Sequence, residues 1–168
     1  MTRIAVDILG PLTQTDQGKS YVLVISDCFS KWTTAVALPN QEAGTVAKAL
    51  VENWICIWGA PTYLHSDQGR NFESQLFQEL MVFLGIKKTR TTPLHPQSNG
   101  QVERYNSTLL NMLSIYCKDC PKSWDEYLQY ASMAYNSSVH STTGFTPQKL
   151  LMGSELRLPI YVLTGDPN

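Results

Sequence analysis

Three acidic residues stand where an acid needs a reason: Asp7, Asp67 and Glu103. Asp7 interrupts an apolar run, Ile4-Ala5-Val6 before it and Ile8-Leu9 after it. Burying an ionised carboxylate in such a strand costs several kcal/mol unless a partner or a cation compensates it. Its one cation nearby in sequence is Arg3. Asp67 closes another short apolar segment and is followed by Gln68-Gly69-Arg70-Asn71-Phe72, where Gly69 permits a tight turn into the next element. Glu103 follows a stretch rich in proline and glycine. Convergence of the three would offer hard oxygen ligands, which select Mg²⁺ or Mn²⁺ over softer ions. Two such ions about 3.5–4 Å apart can activate an attacking oxygen and stabilise a leaving one, as phosphodiester chemistry requires. Fourteen acids in the chain guarantee some accidental spacings, so the acids alone do not decide the matter.

The elements that must position these groups read as α/β. Residues 4–9 form a short strand ended by Gly10-Pro11, and 16–20 a turn hinged on Gly18. Residues 21–25 are almost uniformly apolar, as in a strand covered on both faces, and 33–38 complete an antiparallel meander. Over 42–58, Val46, Ala49, Leu50, Trp54 and Ile57 recur at spacings of three and four, which predicts an amphipathic helix stopped by Gly59-Ala60-Pro61. A strand over 62–66 leads to Asp67. A helix over 73–84 should bury Phe77, Leu80, Met81 and Leu84, with Gly85 as its C-cap. The last strand falls at 86–91, and 92–100 is a loop. A long helix over 101–117 should turn Val102, Tyr105, Leu109, Met112, Leu113 and Tyr116 inward. Another, opened by Ser123 and Asp125, buries Trp124, Leu128, Ala131 and Tyr135, and Thr146-Pro147 begins a final short one. The expected fold is a single α/β domain over 1–168, ribonuclease H-like, with a five-stranded mixed sheet flanked by helices.

The residues around the acids carry a resemblance. His65-Ser66-Asp67-Gln68-Gly69-Arg70-Asn71-Phe72 and His95-Pro96-Gln97-Ser98-Asn99-Gly100-Gln101-Val102-Glu103 look like the two signature segments of retroviral and LTR-retrotransposon integrases. The 35 residues between Asp67 and Glu103 match the spacing that names the D,D-35-E group. Ala5-Val6-Asp7-Ile8-Leu9-Gly10-Pro11 resembles the family's first-aspartate segment. Asp27-Cys28-Phe29-Ser30-Lys31-Trp32, Ala134-Tyr135-Asn136, His140 and Thr143-Gly144-Phe145-Thr146-Pro147 look like the gypsy-type branch. The resemblance runs through nearly the whole chain. It implies that Asp7, Asp67 and Glu103 are the catalytic, metal-binding triad for two Mg²⁺ or Mn²⁺ ions. It further implies 3′-end processing and strand transfer on double-stranded DNA, both element ends and target, by a homodimer or higher multimer acting in the nucleus. The loop 95–100 would contact DNA ends, with His95, Gln97 and Asn99 as candidates. Asn106, one turn after Glu103, matches a family position near the site, and Arg104 and Lys88 are further candidates for DNA phosphates. Ser107 and Leu110 stand where some retroviral members place DNA-gripping lysines, so those contacts do not transfer. The zinc-binding and C-terminal DNA-binding modules of complete integrases are not among the matched segments.

Composition constrains the partners. Hydrophobic content of 43% and 16% charged residues suit one globular domain, with no apolar run long enough to span a bilayer and no charged, apolar leader. A net charge of −1 and a pI near 6.3 run against a DNA partner. Local clusters such as Lys87, Lys88 and Arg90 matter more than the total, although those side chains equally suit a solvated strand edge. Cys28, Cys56, Cys117 and Cys120 do not form the framework of a small secreted protein. Cys117 and Cys120 are spaced C-x-x-C without a second ligand pair for zinc, so a structural or incidental role is expected.

Rival sites are weaker. Asp27 should lie at the far end of the first strand pair from Asp7 and initiate a turn. His65, Ser66 and Asp67 hold the residue types of a hydrolase triad, but neighbours on a strand point to opposite faces. Trp54, Trp58 and Trp124 fit helix core faces. Two other readings of the whole chain remain: an integrase core retained by a host as a DNA- or protein-binding module, and a ribonuclease H, which would normally supply a fourth carboxylate.

Overall fold

Alternate residues of the two inner strands serve different helical layers, and this alternation organises the molecule. The computed structural model describes residues 1–90 and 100–158. Strands β1 (Arg3–Leu9), β2 (Tyr21–Asp27), β3 (Thr33–Leu38), β4 (Tyr63–Ser66) and β5 (Lys87–Arg90) form one sheet in the order β3-β2-β1-β4-β5. The β1–β2 and β2–β3 pairs are antiparallel, and β1–β4 and β4–β5 are parallel. Helices are α1 (Ala43–Leu50), a π-helical segment (Val51–Ile55), α2 (Cys56–Trp58), α3 (Gln75–Phe83), α4 (Gly100–Tyr116), α5 (Trp124–Asn136) and α6 (Pro147–Met152). None among the described residues is long and apolar enough to cross a membrane.

Ile4, Val6, Leu23 and Ile25 pack on one face with Val46, Leu50, Trp54, Phe77 and Met81. Ala5, Val22 and Val24 pack on the other with Tyr105, Leu109, Leu113, Trp124 and Leu128. The period of two in a strand makes this division, and helices on both sides explain why residues 21–25 of β2 are apolar without alternation.

The helix expected over 42–58 exists but is not regular. Its π-helical segment takes more residues per turn and so delays the inward face by about one position. Ile57, expected inside, is 60% exposed. Trp58 packs against the core instead, its ring edge-on to Trp32 at 5.9 Å. A similar shift ends α4: Tyr116 is 45% exposed and Cys117 occupies the inner position. Leu80, Leu84, Met112 and Tyr135 are half-buried.

Helix α3 starts at Gln75, because Ser74 caps it by accepting from the Phe77 amide at 3.2 Å. Gly85 follows with φ 67°, the left-handed C-cap expected of it. The loop expected over 92–100 lies outside the described residues, apart from Gly100, which opens α4.

At the free edge of the sheet, Asn136 of α5 acts as a short surrogate strand. Its Oδ1 accepts from the Thr33 amide at 3.0 Å and its Nδ2 donates to the Thr33 carbonyl at 2.8 Å. Both residues are buried.

Candidate carboxylate site

Asp7 shares the strand parity of Ala5, so its side chain leaves β1 on the α4 side. There Asn106 of α4 donates from Nδ2 to Asp7 Oδ2 at 2.7 Å, and the Ile8 amide donates to Asp7 Oδ1 at 2.9 Å. Burial pushes the Asp7 carboxyl above the usual aspartate range. The two hydrogen bonds oppose that shift, whereas the negative charges of Asp67 and Glu103 reinforce it. Asp67 and Glu103 are therefore both within electrostatic reach of Asp7.

Strand register explains the meeting of the first two. Ala5 pairs with His65 in the parallel β1–β4 ladder, and the same register carried two residues further sets Asp67 level with Asp7. Adjacent strands lie about 4.8 Å apart. Both acids thus sit at the carboxyl ends of neighbouring parallel strands, the usual place for a ligand crevice in α/β sheets. Glu103 enters from the first turn of α4, where the helix dipole favours an acid.

Asp67 is exposed, and its Oδ1 accepts from the Gly69 amide at 3.0 Å. A Cβ at Gly69 would lie 2.6 Å from Asn71 Oδ1 and 3.0 Å from Asp67 Oδ1. A side chain here would displace the Asn71 amide and press on the Asp67 carboxylate.

The pocket holding Asp7 and Asp67 has a volume of about 330 Å³ and is also lined by Gln41, Gly69, Arg70 and Asn71. Sequence reading had not given Arg70 or Gln41 a role. Arg70 lay within the quoted motif and could have been singled out by its charge, whereas nothing around Gln41 marked it. A larger cavity of about 570 Å³ lies between β3 and α5. Its acids, Asp125 and Glu126, stand together in the first turn of α5, and Asp125 accepts from the Thr15 hydroxyl at 3.1 Å. The smaller pocket holds the carboxylates that converge from separate elements.

Among the described residues, no three His, Cys, Asp or Glu side chains stand close enough to enclose one ion as they lie. The donors nonetheless fit a hard divalent cation: the charges of Asp67 and Glu103 add to the raised proton affinity of the buried Asp7, and beside it the buried Asn106 Oδ1 lacks a partner among the described residues. Asp67 and Glu103 are exposed, so their side chains are free of the packing that fixes Asp7.

Other candidates are placed differently. Lys88 is turned into an ion pair with Glu73, its side chain only 12% exposed, and Arg90 joins the same carboxylate at 2.5 Å. Lys88 and Arg90 thus tie β5 to the turn before α3, whereas Lys87 is exposed and lies over the Tyr63 ring at 5.9 Å. Arg104 is exposed on α4; burial raises the Tyr135 phenol and lowers the His140 imidazole, and the Arg104 charge opposes the first shift and adds to the second, which puts it on the α5 side. His95, Gln97 and Asn99 lie outside the described residues. Asp27 is buried opposite Ile4, away from Asp7, and its Oδ2 accepts from both the Ser30 amide and hydroxyl at 2.7 Å, as a turn residue should. His65 contacts Thr89 Oγ1 at 3.0 Å while Ser66 donates to the Asp67 carbonyl, so no hydrolase relay forms.

A five-stranded mixed sheet with acids at the ends of its central parallel strands and on a crossing helix defines a ribonuclease H-like carboxylate-site domain. The chain belongs to the integrase core domain family, whose profile matches residues 2–96. It is 30% identical over 157 residues to the retrovirus-related Pol polyprotein from transposon 412 of Drosophila melanogaster, covering 94% of this chain and 13% of that protein. The Pro-Pol polyprotein of simian foamy virus type 1 is 32% identical over 154 residues, 92% of this chain and again 13% of the relative. The chain therefore spans only a small part of these relatives' length. Among solved structures, the HTLV-2 integrase catalytic core in complex with magnesium superposes with a TM-score of 0.71 at 25% identity, covering 88% of this chain and 94% of that one. A chain of the simian T-cell lymphotropic virus intasome in complex with PP2A regulatory subunit B56 gamma gives 0.76 at 27% identity, covering 94% of this chain and 56% of that one.

Proposed function

We propose that this chain is the catalytic core of a metal-dependent polynucleotidyl transferase that processes the 3′ ends of element DNA and joins them to target DNA. The observation that carries the reading is Asp7, held by Asn106 and charge-coupled to both Asp67 and Glu103. Divalent cations bound by these three carboxylates would supply the positive charge for an in-line displacement at phosphorus. The chain's own residues have simpler tasks. Asn106 and the Ile8 amide fix the Asp7 carboxylate, the Gly69 amide orients Asp67, and the Arg70 guanidinium, on the rim of the same pocket, suits a DNA phosphate. Water attacks near the 3′ end, and the freed 3′ hydroxyl then attacks the target strand, with no covalent enzyme intermediate required.

The magnesium complex of the HTLV-2 core supports Mg²⁺ or Mn²⁺ as the cofactor. The dimeric and trimeric forms of that core, and the intasome, support a multimer acting on DNA. On this reading the place of action is the nucleus. The test is Asp67→Asn: it should abolish Mg²⁺- or Mn²⁺-dependent disintegration and strand transfer while leaving the circular dichroism spectrum and thermal midpoint close to wild type. Undiminished activity in that variant would overturn the mechanism.

A further inference from the structure

The C-x-x-C segment after α4 is not absorbed by the carboxylate site, and its geometry is specific. The Cys117 amide closes the last turn of α4 by donating to the Leu113 carbonyl at 2.9 Å. The Cys120 amide then donates back to the Cys117 carbonyl at 3.1 Å. A four-residue turn closed in this way brings its end Cα atoms within about 7 Å. A disulfide spans Cα separations of about 4.4–6.8 Å. The turn therefore holds the two Cα atoms in or near the range that a cross-link spans.

The two thiols have different access. Cys120 is exposed, whereas Cys117 is 6% exposed and packs in the α4–α5 core layer. Burial pushes the Cys117 thiol up, and the nearby Cys120 and Asp125 add to that shift. Metal binding is the poorer use of the pair, because no third His, Cys, Asp or Glu among the described residues completes a cluster with them.

We propose that Cys117 and Cys120 form a reversible dithiol–disulfide site, with Cys120 the entry point and Cys117 the resolving thiol, taking a small-molecule disulfide as oxidant. The Cys120 thiolate attacks one sulfur of oxidised glutathione, forming a mixed disulfide and expelling one glutathione thiolate. Cys117, having released its proton to solvent, attacks the Cys120 sulfur and expels the second. Two protein thiols are oxidised and one glutathione disulfide is reduced to two glutathione molecules. Because burial raises the Cys117 thiol, its thiolate fraction grows with pH, and the second step speeds up as pH rises.

The full chain is equilibrated in buffers from fully reduced to fully oxidised glutathione, acid-quenched, alkylated and analysed by intact and peptide mass spectrometry. A variant carrying Cys28→Ser and Cys56→Ser removes the other thiols. The expected result is loss of both remaining alkylatable thiols without added glutathione mass, a Cys117–Cys120 cross-linked peptide, and full recovery on reduction. Adding Cys120→Ser, at an exposed position that does not threaten folding, should leave Cys117 reduced throughout. Glutathione adducts that persist on Cys120 without an internal cross-link, or two free thiols in fully oxidised buffer, would overturn the proposal.

Discussion

Asn106 Nδ2 donates to Asp7 Oδ2 across 99 positions of sequence, and this bond ties the helix that carries Glu103 to the strand that carries Asp7. Removing it should separate metal binding from folding. Asn106→Ala is expected to lower strand-transfer activity and Mn²⁺ affinity by roughly 10–100-fold, as loss of a carboxylate's supporting partner typically does. Isothermal titration with Mn²⁺ alongside a disintegration assay tests this, and unchanged affinity would refute the supporting role.

Gly69 leaves room for the Asp67 carboxylate. In Gly69→Ala the new methyl would press on two side-chain oxygens, those of Asp67 and Asn71, and both can move. The expected outcome is a near-normal thermal midpoint with activity reduced by at least tenfold, because an ångström of misplacement at a reacting centre costs about that much or more. Comparing the melting curve with single-turnover processing rates separates the two effects.

Glu73 supplies a pH signature. Its hydrogen bond with Lys88, then the charges of Lys88 and Arg90, hold its carboxyl below the usual value of 4.5. A lowered acid stabilises the fold above its unfolded-state value, and the contribution disappears as pH falls through the folded-state value. Glu73→Gln should therefore cost on the order of 1 kcal/mol or less near neutral pH, since part of the network is exposed. The difference from wild type should shrink below about pH 4. Urea unfolding at a series of pH values measures it, and a gap that widens in acid would contradict the assignment.

Asn136 guards the sheet edge. Asn136→Ala leaves the buried Thr33 amide and carbonyl without their partners and should destabilise the domain by roughly 1–3 kcal/mol. Equilibrium denaturation reports the loss directly. Mn²⁺ affinity should be unchanged, because the bond lies at the β3 edge and the carboxylates lie at β1 and β4.

Much of this arrangement was legible in the chain itself. The period-two and period-three-to-four patterns located five strands and the main helices, because burial of an apolar face leaves its spacing in the sequence. Asp7 was conspicuous because an acid inside an apolar strand needs compensation, and the flanking motifs tied it to Asp67 and Glu103. Local pattern failed where geometry depends on neighbours. The π-helical segment moved Ile57 outward and Trp58 inward, and no periodicity rule with a fixed pitch anticipates that change. Lys88 looked available as a cation until Glu73, 15 residues away, took it up.

The sequence by itself determined which side chains can do chemistry and which elements carry them, since residue type and apolar spacing are local properties. The tertiary structure decided what those side chains meet. Parallel pairing of β1 with β4 sets Asp7 and Asp67 level, and packing of α4 over β1 delivers Asn106 to Asp7 and brings Glu103 within its electrostatic reach. Long-range pairing fixes these relationships, and it depends on the register and layer order of the whole sheet, which no short stretch of the chain contains.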